Sequence, residues 1–204
     1  MQEYLQNKRE KMNNHIDRCY LDMGSKTKRL EQLEDEDFFD MFTKNEKCKN
    51  CIEPCCLRNP CCYVPDDFWS MDKDYLEYLL ELNLLCIDYY YNYSYSLESY
   101  YIRPRGYSDK DEYSDYNPCI FYKEDRCIFD KYERPIQPLL FISNQGGCFP
   151  IYTINQIVED YKPYQEILKE LYKKYSASKM KDKHIEDEKI KTLVKRIIEK
   201  PLQN

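Results

Sequence analysis

The feature that most constrains the fold of this chain is a run of six cysteines between positions 48 and 62. Its spacing is Cys48-x2-Cys51-x3-Cys55-Cys56-x4-Cys61-Cys62. The segment has neither helical nor strand periodicity and is interrupted by Pro54 and Pro60, so local propensity does not set its conformation. Thiolates suit Zn(II), Cu(I) and iron–sulfur clusters, and a two-residue spacer lets two sulfurs reach one ion from a tight turn. The pattern therefore predicts a segment that is organised by a bound metal.

The number of cysteines exceeds what one ion needs. Pro54-Cys55-Cys56 recurs as Pro60-Cys61-Cys62, and because neighbouring side chains point apart, either each pair supplies one ligand and one packed thiol or more than one metal binds. Three later cysteines complete the set. The predicted metal ligands are Cys48, Cys51, Cys55, Cys56, Cys61, Cys62, Cys119, Cys127 and Cys148. A tetrahedral zinc site takes four, so a two-metal site, or an iron–sulfur cluster plus zinc, would accommodate nine. Cys19 and Cys86 stand alone in other patterns and are expected to be buried as small hydrophobic residues.

Composition favours a reducing compartment. The chain has 204 residues and eleven cysteines, an odd number that fits metal-bound or reduced thiols better than complete disulfide pairing. The first twelve residues are charged, unlike a signal peptide, and no apolar run reaches the length of a membrane span, so a cytoplasmic protein is predicted. A net charge of -6 argues against a general nucleic-acid or anionic-membrane surface. A secreted disulfide scaffold whose signal peptide has been removed remains an alternative.

The predicted fold class is α+β and mostly helical, with an irregular metal-organised cysteine-rich core, a small hairpin and C-terminal helices. Only four glycines and ten prolines punctuate the chain, which favours long helices. Three regions are expected: an N-terminal helical segment at 1–46, a cysteine-cluster metal-binding domain at 47–152, and C-terminal helices at 153–204.

Periodicity locates the elements of the first two regions. Residues 28–45 place apolar side chains at helical spacing, and a second apolar helix is expected after Ser70, which could cap it. The tyrosine-rich stretch that follows predicts a hairpin with strands near 87–91 and 99–103. Its tyrosines could stack on bases or an aromatic ligand, but packing of one hairpin face on the cysteine cluster is favoured.

The sequence of the last third of the chain predicts a strand, a turn and helices. Residues 139–142 are expected to form a buried strand, and residues 144–147 a turn that presents Cys148. Thr153 and Gln156 form a candidate capping box. A final amphipathic helix carries an apolar stripe that could dock on a partner protein or on a second copy. Its apolar residues are Ile190, Leu193, Val194, Ile197 and Ile198.

The second half of the predicted site has a family-like order of parts. It reads Cys119-Ile-Phe-Tyr-Lys-Glu-Asp-Arg-Cys127, followed by an aromatic and acidic stretch and Arg134-Pro135. Together with the first cysteine run, it resembles the YkgJ-type family of zinc- or iron-chelating cysteine-cluster proteins over residues 47–150. The resemblance implies metal chelation. Related clusters occur in the flagellin lysine methylases, where an iron–sulfur centre is implicated.

This chain departs from the family pattern at three points, one of which is a spacer before Cys55 that is one residue longer. The family usually has a cysteine three residues after Arg-Pro, whereas here the three residues after Pro135 are Ile, Gln and Pro, and Cys148 is the next thiol. The pair Cys61-Cys62 is additional. The resemblance is therefore to a divergent member or a sister family, with Cys148 as the least secure ligand.

Few other residues suggest a chemical site. His15 and His184 are the only histidines, too few for a histidine-rich zinc site, and both are expected to be solvated helix residues. Arg103, Arg105 and Arg134 could clamp an anion or lower thiolate pKa values beside the metal. Their alternative role is structural pairing with carboxylates. The carboxylates considered are Glu98, Asp130 and Glu133.

These patterns predict a cysteine-cluster protein that binds zinc or iron, with an iron–sulfur cluster as one form of the iron, and in which the metal organises the fold. An iron–sulfur redox or methyl-transfer enzyme is the first alternative, and a metal-stabilised protein-interaction module is the second. No G-x-G-x-x-G, P-loop or H-E-x-x-H motif is present, so the sequence does not decide whether the protein is an enzyme. Neither a membrane nor a nucleic acid is expected as a partner.

Overall fold

The structure is a computed structural model. It describes residues 2–19, 34, 55–58, 60–94, 96–109, 116–124, 126–130, 132–144, 147–150, 153–177 and 186–199. The helix predicted at 28–45 and the predicted ligands Cys48 and Cys51 lie outside the described residues, as do the side chains of Cys55 and Cys148.

The predicted α+β, mostly helical class is confirmed. The helices are α1 (Gln2–Cys19), α2 (Cys55–Arg58), α3 (Lys73–Leu80), α4 (Ile136–Leu139), α5 (Ile154–Tyr161), α6 (Gln165–Tyr175) and α7 (Asp187–Ile198). Short 3-10 turns occupy Pro65–Asp67 and Lys162–Tyr164. The strands are β1 (Leu85–Asn92), β2 (Leu97–Pro104), β3 (Tyr122–Lys123), β4 (Arg126–Cys127), β5 (Phe141–Asn144) and β6 (Gly147–Pro150). They form three antiparallel pairs, each strand with its neighbour in sequence.

The tyrosine-rich hairpin is confirmed, and it packs on C-terminal helices. Strands β1 and β2 contact α5 and α6. The Tyr100 ring lies 5.1 Å from that of Tyr172, and the Tyr100 N–H donates to Gln165 Oε1 at 2.8 Å. The hairpin is also bonded to the chain just after Cys62, because the Tyr63 N–H donates to the Ile102 carbonyl at 2.9 Å. Packing of a hairpin face on the cysteine cluster stays a prediction.

The apolar faces of the helices meet in one core. Helix α3 packs on α6 and α7, and its apolar side chains are buried together with those of the C-terminal helices. The most deeply buried members include Leu76, Leu79, Leu168, Leu171 and Leu193. The C-terminal helices predicted from periodicity are thus present, and the stripe on α7 is covered in part by this core.

Local capping explains where the helices begin. Helix α3 is capped by Asp72, whose Oδ1 accepts the Tyr75 N–H at 2.9 Å, and not by Ser70. The Ser70 hydroxyl instead donates to the Asp72 carboxylate, since a charged acceptor suits the positive end of a helix better. The predicted capping box before α5 is confirmed, because the Thr153 N–H donates to Gln156 Oε1 at 2.7 Å.

The strand predicted at 139–142 is partly wrong. Residues Ile136–Leu139 form a helical turn, in which the Leu140 N–H bonds the carbonyls of Ile136 and Gln137, and the strand starts only at Phe141. Pro135 precedes the turn and sets its entry. Strands β5 and β6 pair with Ser143 opposite Cys148 and Asn144 opposite Gly147, and residues 145 and 146 of the predicted turn lie outside the described residues.

None of the helices in the described ranges has both the length and the apolar character that a membrane crossing requires.

Candidate metal centre

Main-chain hydrogen bonds join the first cysteine segment to the second. The Cys119 N–H donates to the Cys56 carbonyl at 2.8 Å, and the Asn117 N–H donates to the Arg58 carbonyl at 2.8 Å. The same stretch is tied to the end of β2, because the Ile120 N–H donates to the Arg105 carbonyl at 3.1 Å. Two regions that are some sixty residues apart in sequence are thereby held side by side at Cys56 and Cys119.

A repeated tripeptide positions the next two sulfurs. Cys-Ile-Phe occurs at 119–121 and again at 127–129, and the backbone N–H groups of Phe121 and Phe129 donate to the sulfurs of Cys119 and Cys127. The two phenylalanine rings lie 4.5 Å apart, and Cys127 is paired with Tyr122 across β3 and β4. The sequence analysis did not use this repeat, although two identical tripeptides eight residues apart could have indicated two equivalent sulfur positions.

Cys56 and Cys61 complete a group of four thiols. A hydrogen bond from the Cys61 thiol lowers the pKa of Cys56 to about 7 against the effect of burial, and the Arg134 guanidinium lowers it further. Burial raises the pKa of Cys119, and so does the charge of Cys56 and of Cys127. Cys56, Cys61, Cys119 and Cys127, hereafter the four-thiol group, therefore share one neighbourhood.

Arg134 is the cation of this neighbourhood. Burial raises the pKa of Cys127, and the Phe129 N–H and the Arg134 guanidinium oppose that rise. Arg134 Nε also donates to the Phe129 carbonyl at 3.2 Å. Of the two roles weighed for this arginine, the structure thus supports stabilisation of thiolates. Arg103 has the structural role, in pairs with Asp88 and Asp109 and not with Glu98, and its charge also lowers the pKa of Cys119.

Helix α1 holds the loop that carries Arg134. Lys8 is buried, and its ammonium donates to the carbonyls of Tyr132, at 2.7 Å, and Arg134. Burial lowers the pKa of Lys8 to about 8, an effect that the Asp67 carboxylate opposes. Asp67 itself accepts the N–H groups of Val64 and Ile136, both at 2.9 Å. The 3-10 turn and α1 therefore fix both ends of the loop that presents Arg134.

The two members of the Cys61-Cys62 pair lie in different surroundings. Cys62 is buried in the apolar core near Tyr101 and Tyr161, and burial raises the pKa of its thiol. This agrees with the interpretation in which each pair supplies one ligand and one packed thiol. Cys86 is buried as predicted, whereas the side chain of Cys19 lies outside the described part of the chain.

His15 is not the solvated helix residue that was predicted. It is only 2% exposed, and its Nε2 lies 3.0 Å from Asp66 Oδ2 while its Nδ1 lies 3.8 Å from Asp160 Oδ2. The prediction failed because α1 packs its polar side against the 3-10 turn and α5. His184 lies outside the described residues.

The four thiols lie near one another, but their sulfur atoms are not arranged as the ligands of one metal ion. Over the described ranges, no group of three or more Cys, His, Asp or Glu side chains is placed so that it could hold a metal ion as it stands. The six cysteines whose side chains are described are thiols and not disulfides.

Comparison with known proteins found no matching protein-family model, no matching curated protein and no matching solved structure.

Proposed function

We propose that the protein binds zinc or iron through the thiolates of Cys56, Cys61, Cys119 and Cys127. The observation that carries this proposal is the main-chain bond from Cys119 to Cys56, which brings two cysteine segments side by side. The pairing of Cys127 with Tyr122 and the hydrogen bond between the Cys56 and Cys61 thiols support it. Four sulfur donors are the set that Zn(II) and iron prefer in tetrahedral sites. Metal binding would replace the hydrogen bond between Cys56 and Cys61 by bonds to the ion and would release thiol protons.

The groups around the sulfurs fit thiolates better than neutral thiols. The Phe121 and Phe129 N–H groups point at sulfur, and such donors orient a ligand and stabilise its negative charge. Four thiolates on a divalent ion leave a net negative charge, which the Arg134 guanidinium offsets. The metal supplies folding free energy to segments that have little regular secondary structure, and we expect it to be structural.

The cysteines beyond this group would serve a second ion or a larger cluster. They are Cys48, Cys51, Cys55 and Cys148. Cys62 contributes packing in this scheme. Thiolate ligands persist where thiols are kept reduced, so this proposal assigns the protein to a reducing compartment such as the cytoplasm.

The first experiment is elemental analysis of protein purified without oxygen, together with its ultraviolet–visible spectrum. Zinc gives a colourless protein, and an iron–sulfur centre, which the redox or methyl-transfer alternative requires, gives visible absorbance. Single serine variants of the four-thiol group are expected to lose bound metal. The matched controls are Cys62→Ala and Cys86→Ala, which remove buried thiols from the core.

Two results would contradict the proposal. One is the absence of both zinc and iron from the purified protein after reconstitution with each. The other is a metal content that falls as far in Cys86→Ala as in Cys119→Ser, since that would assign the loss to general unfolding.

A further inference from the structure

The β1–β2 hairpin carries two pairs of contacting tyrosine rings, and three of the four rings are exposed. Tyr89, Tyr91 and Tyr93 are 39%, 42% and 85% exposed. The rings of Tyr91 and Tyr93 lie 4.4 Å apart, and those of Tyr89 and Tyr100 lie 4.9 Å apart. We call Tyr89, Tyr91, Tyr93 and Tyr100 the tyrosine surface. Exposed tyrosines that contact one another are typical of binding surfaces, because a rigid ring gives a large contact area at little cost in entropy.

The charged hairpin side chain on the same face as the tyrosine surface is that of Glu98. The charged residues of the hairpin are Asp88, Glu98 and Arg103, and Arg103 is buried in its pairs with Asp88, at 2.6 Å, and Asp109. Glu98 lies opposite Tyr91 in the strand register, and it accepts the Tyr89 hydroxyl at 2.6 Å. The surface therefore presents ring faces and a carboxylate, and both attract cations.

At other positions in the described structure, cationic side chains lie over tyrosine rings. The Arg196 guanidinium lies 3.6 Å from the centre of the Tyr78 ring, and the Lys174 ammonium lies 4.7 Å from that of Tyr175. In the part of the chain that the structure describes, the cation–ring contacts involve Tyr4, Tyr78 and Tyr175, and none falls on the tyrosine surface.

We propose that the tyrosine surface binds a basic segment of a partner protein, with Arg or Lys side chains on the rings and beside Glu98. Positive charge in the partner complements the ring faces and the carboxylate. This site is independent of the cysteines.

The test measures binding of a labelled peptide of alternating Arg and Ser to the full chain by fluorescence anisotropy. Tyr91→Ala with Tyr93→Ala is expected to weaken binding about ten-fold. Tyr91→Phe with Tyr93→Phe keeps the ring faces and is expected to bind within about two-fold of the parent chain. Tyr116→Ala is the matched control, because Tyr116 is 55% exposed and lies outside the hairpin. All of these variants keep the net charge of -6.

Binding that is unchanged in the double alanine variant would overturn the proposal, because net charge alone would then explain it. A loss in the double phenylalanine variant equal to that in the alanine variant would exclude recognition by ring faces. Equal binding of a Glu–Ser peptide would also overturn it. If the double alanine variant does not fold, Tyr93→Ala alone tests the proposal, because the exposed Tyr93 side chain contributes little to folding. Its loss is expected to weaken binding about three-fold.

Discussion

The helical core and the candidate metal centre are built by different means. In the core, formed by β1 and β2 with α3, α5, α6 and α7, apolar side chains are buried against one another. In the centre, apolar side chains such as Phe121 and Phe129 belong to the same buried cluster, and polar bonds add to them. Examples are the main-chain bond from Cys119 to Cys56 and the ion pair of Arg103 with Asp109. Apolar contacts tolerate substitution by similar shapes, whereas a buried polar bond depends on one partner. The centre should therefore be the part of the molecule that is most sensitive to single polar changes, to protons and to metal.

The largest loss is expected from Asp109→Ala. The Asp109 side chain is fully buried and accepts from Arg103, from Asn117 and from the Gly106 N–H. Its removal leaves the buried guanidinium with one partner fewer, which costs about 3 to 5 kcal/mol. Urea unfolding measures the change. Lys73→Ala, which removes an exposed ion pair with Glu170, is the control and should leave the free energy of unfolding unchanged. If Asp109→Ala and Lys73→Ala lowered the free energy of unfolding equally, the centre would not be more sensitive to single polar changes than the rest of the molecule.

A large apolar change in the core is expected to cost slightly less. Leu168 is completely buried, and Leu168→Ala should lower the free energy of unfolding by about 3 kcal/mol, through lost transfer energy and the cavity left behind. Because Leu168 belongs to the helical core, the loss should be the same with and without a metal chelator. A loss that disappears in chelator would mean that core and centre unfold as one unit that depends on metal.

The centre also carries a pH-dependent term at Asp67. Burial raises the pKa of this carboxyl from its ordinary value of 3.8 to about 6, against the effects of Lys8 and of two backbone N–H donors. The native state then binds the proton more tightly than the unfolded chain does. The free energy of unfolding therefore falls as the pH rises from 4 to 6, by about 2 to 3 kcal/mol from this group. Asp67→Asn should remove that slope, as measured by urea unfolding across this range. If the free energy of unfolding changed with pH in the same way in the parent protein and in Asp67→Asn, Asp67 would not be the group responsible.

A smaller loss is expected from Gly106→Ala. A Cβ atom at this position would lie 1.9 Å from Asn117 Oδ1, and Asn117 bonds both Ser108 and Asp109. Crowding of this kind costs about 1 to 3 kcal/mol. It should also lower the metal content, because Asn117 precedes Cys119 by two residues. Combining the change with Asn117→Gly relieves the clash, so the double variant should lose less than the sum of the single losses. Additive losses would show that the contact is not the cause.

Periodic patterns in the sequence predicted the elements of the helical core well. For the metal centre, the sequence predicted which residue types take part but not which of them lie together. The hairpin, the Thr153–Gln156 capping box and the α7 stripe followed from local spacing. The main-chain bond from Cys119 to Cys56 joins residues far apart in sequence, and no local pattern encodes it. The burial of His15 was missed for the same reason, since Asp66 and Asp160 come from other elements. The choice between Cys61 and Cys62 depends on which side of an irregular segment faces the core, and spacing does not determine that.

The opposite surroundings of Cys61 and Cys62 have a practical use. Because the two residues are adjacent, a protease fragment that contains one contains the other, and alkylation of both is read in a single mass spectrum. The Cys61 side chain is partly exposed, whereas Cys62 is 4% exposed. In metal-free protein, fragments that carry one label would report folded molecules, and fragments that carry two would report molecules that had opened. Metal bound to Cys61 would protect its sulfur, so folded metal-bound molecules would carry no label. The adjacent pair thus supplies its own internal standard for counting folded protein in a mixture.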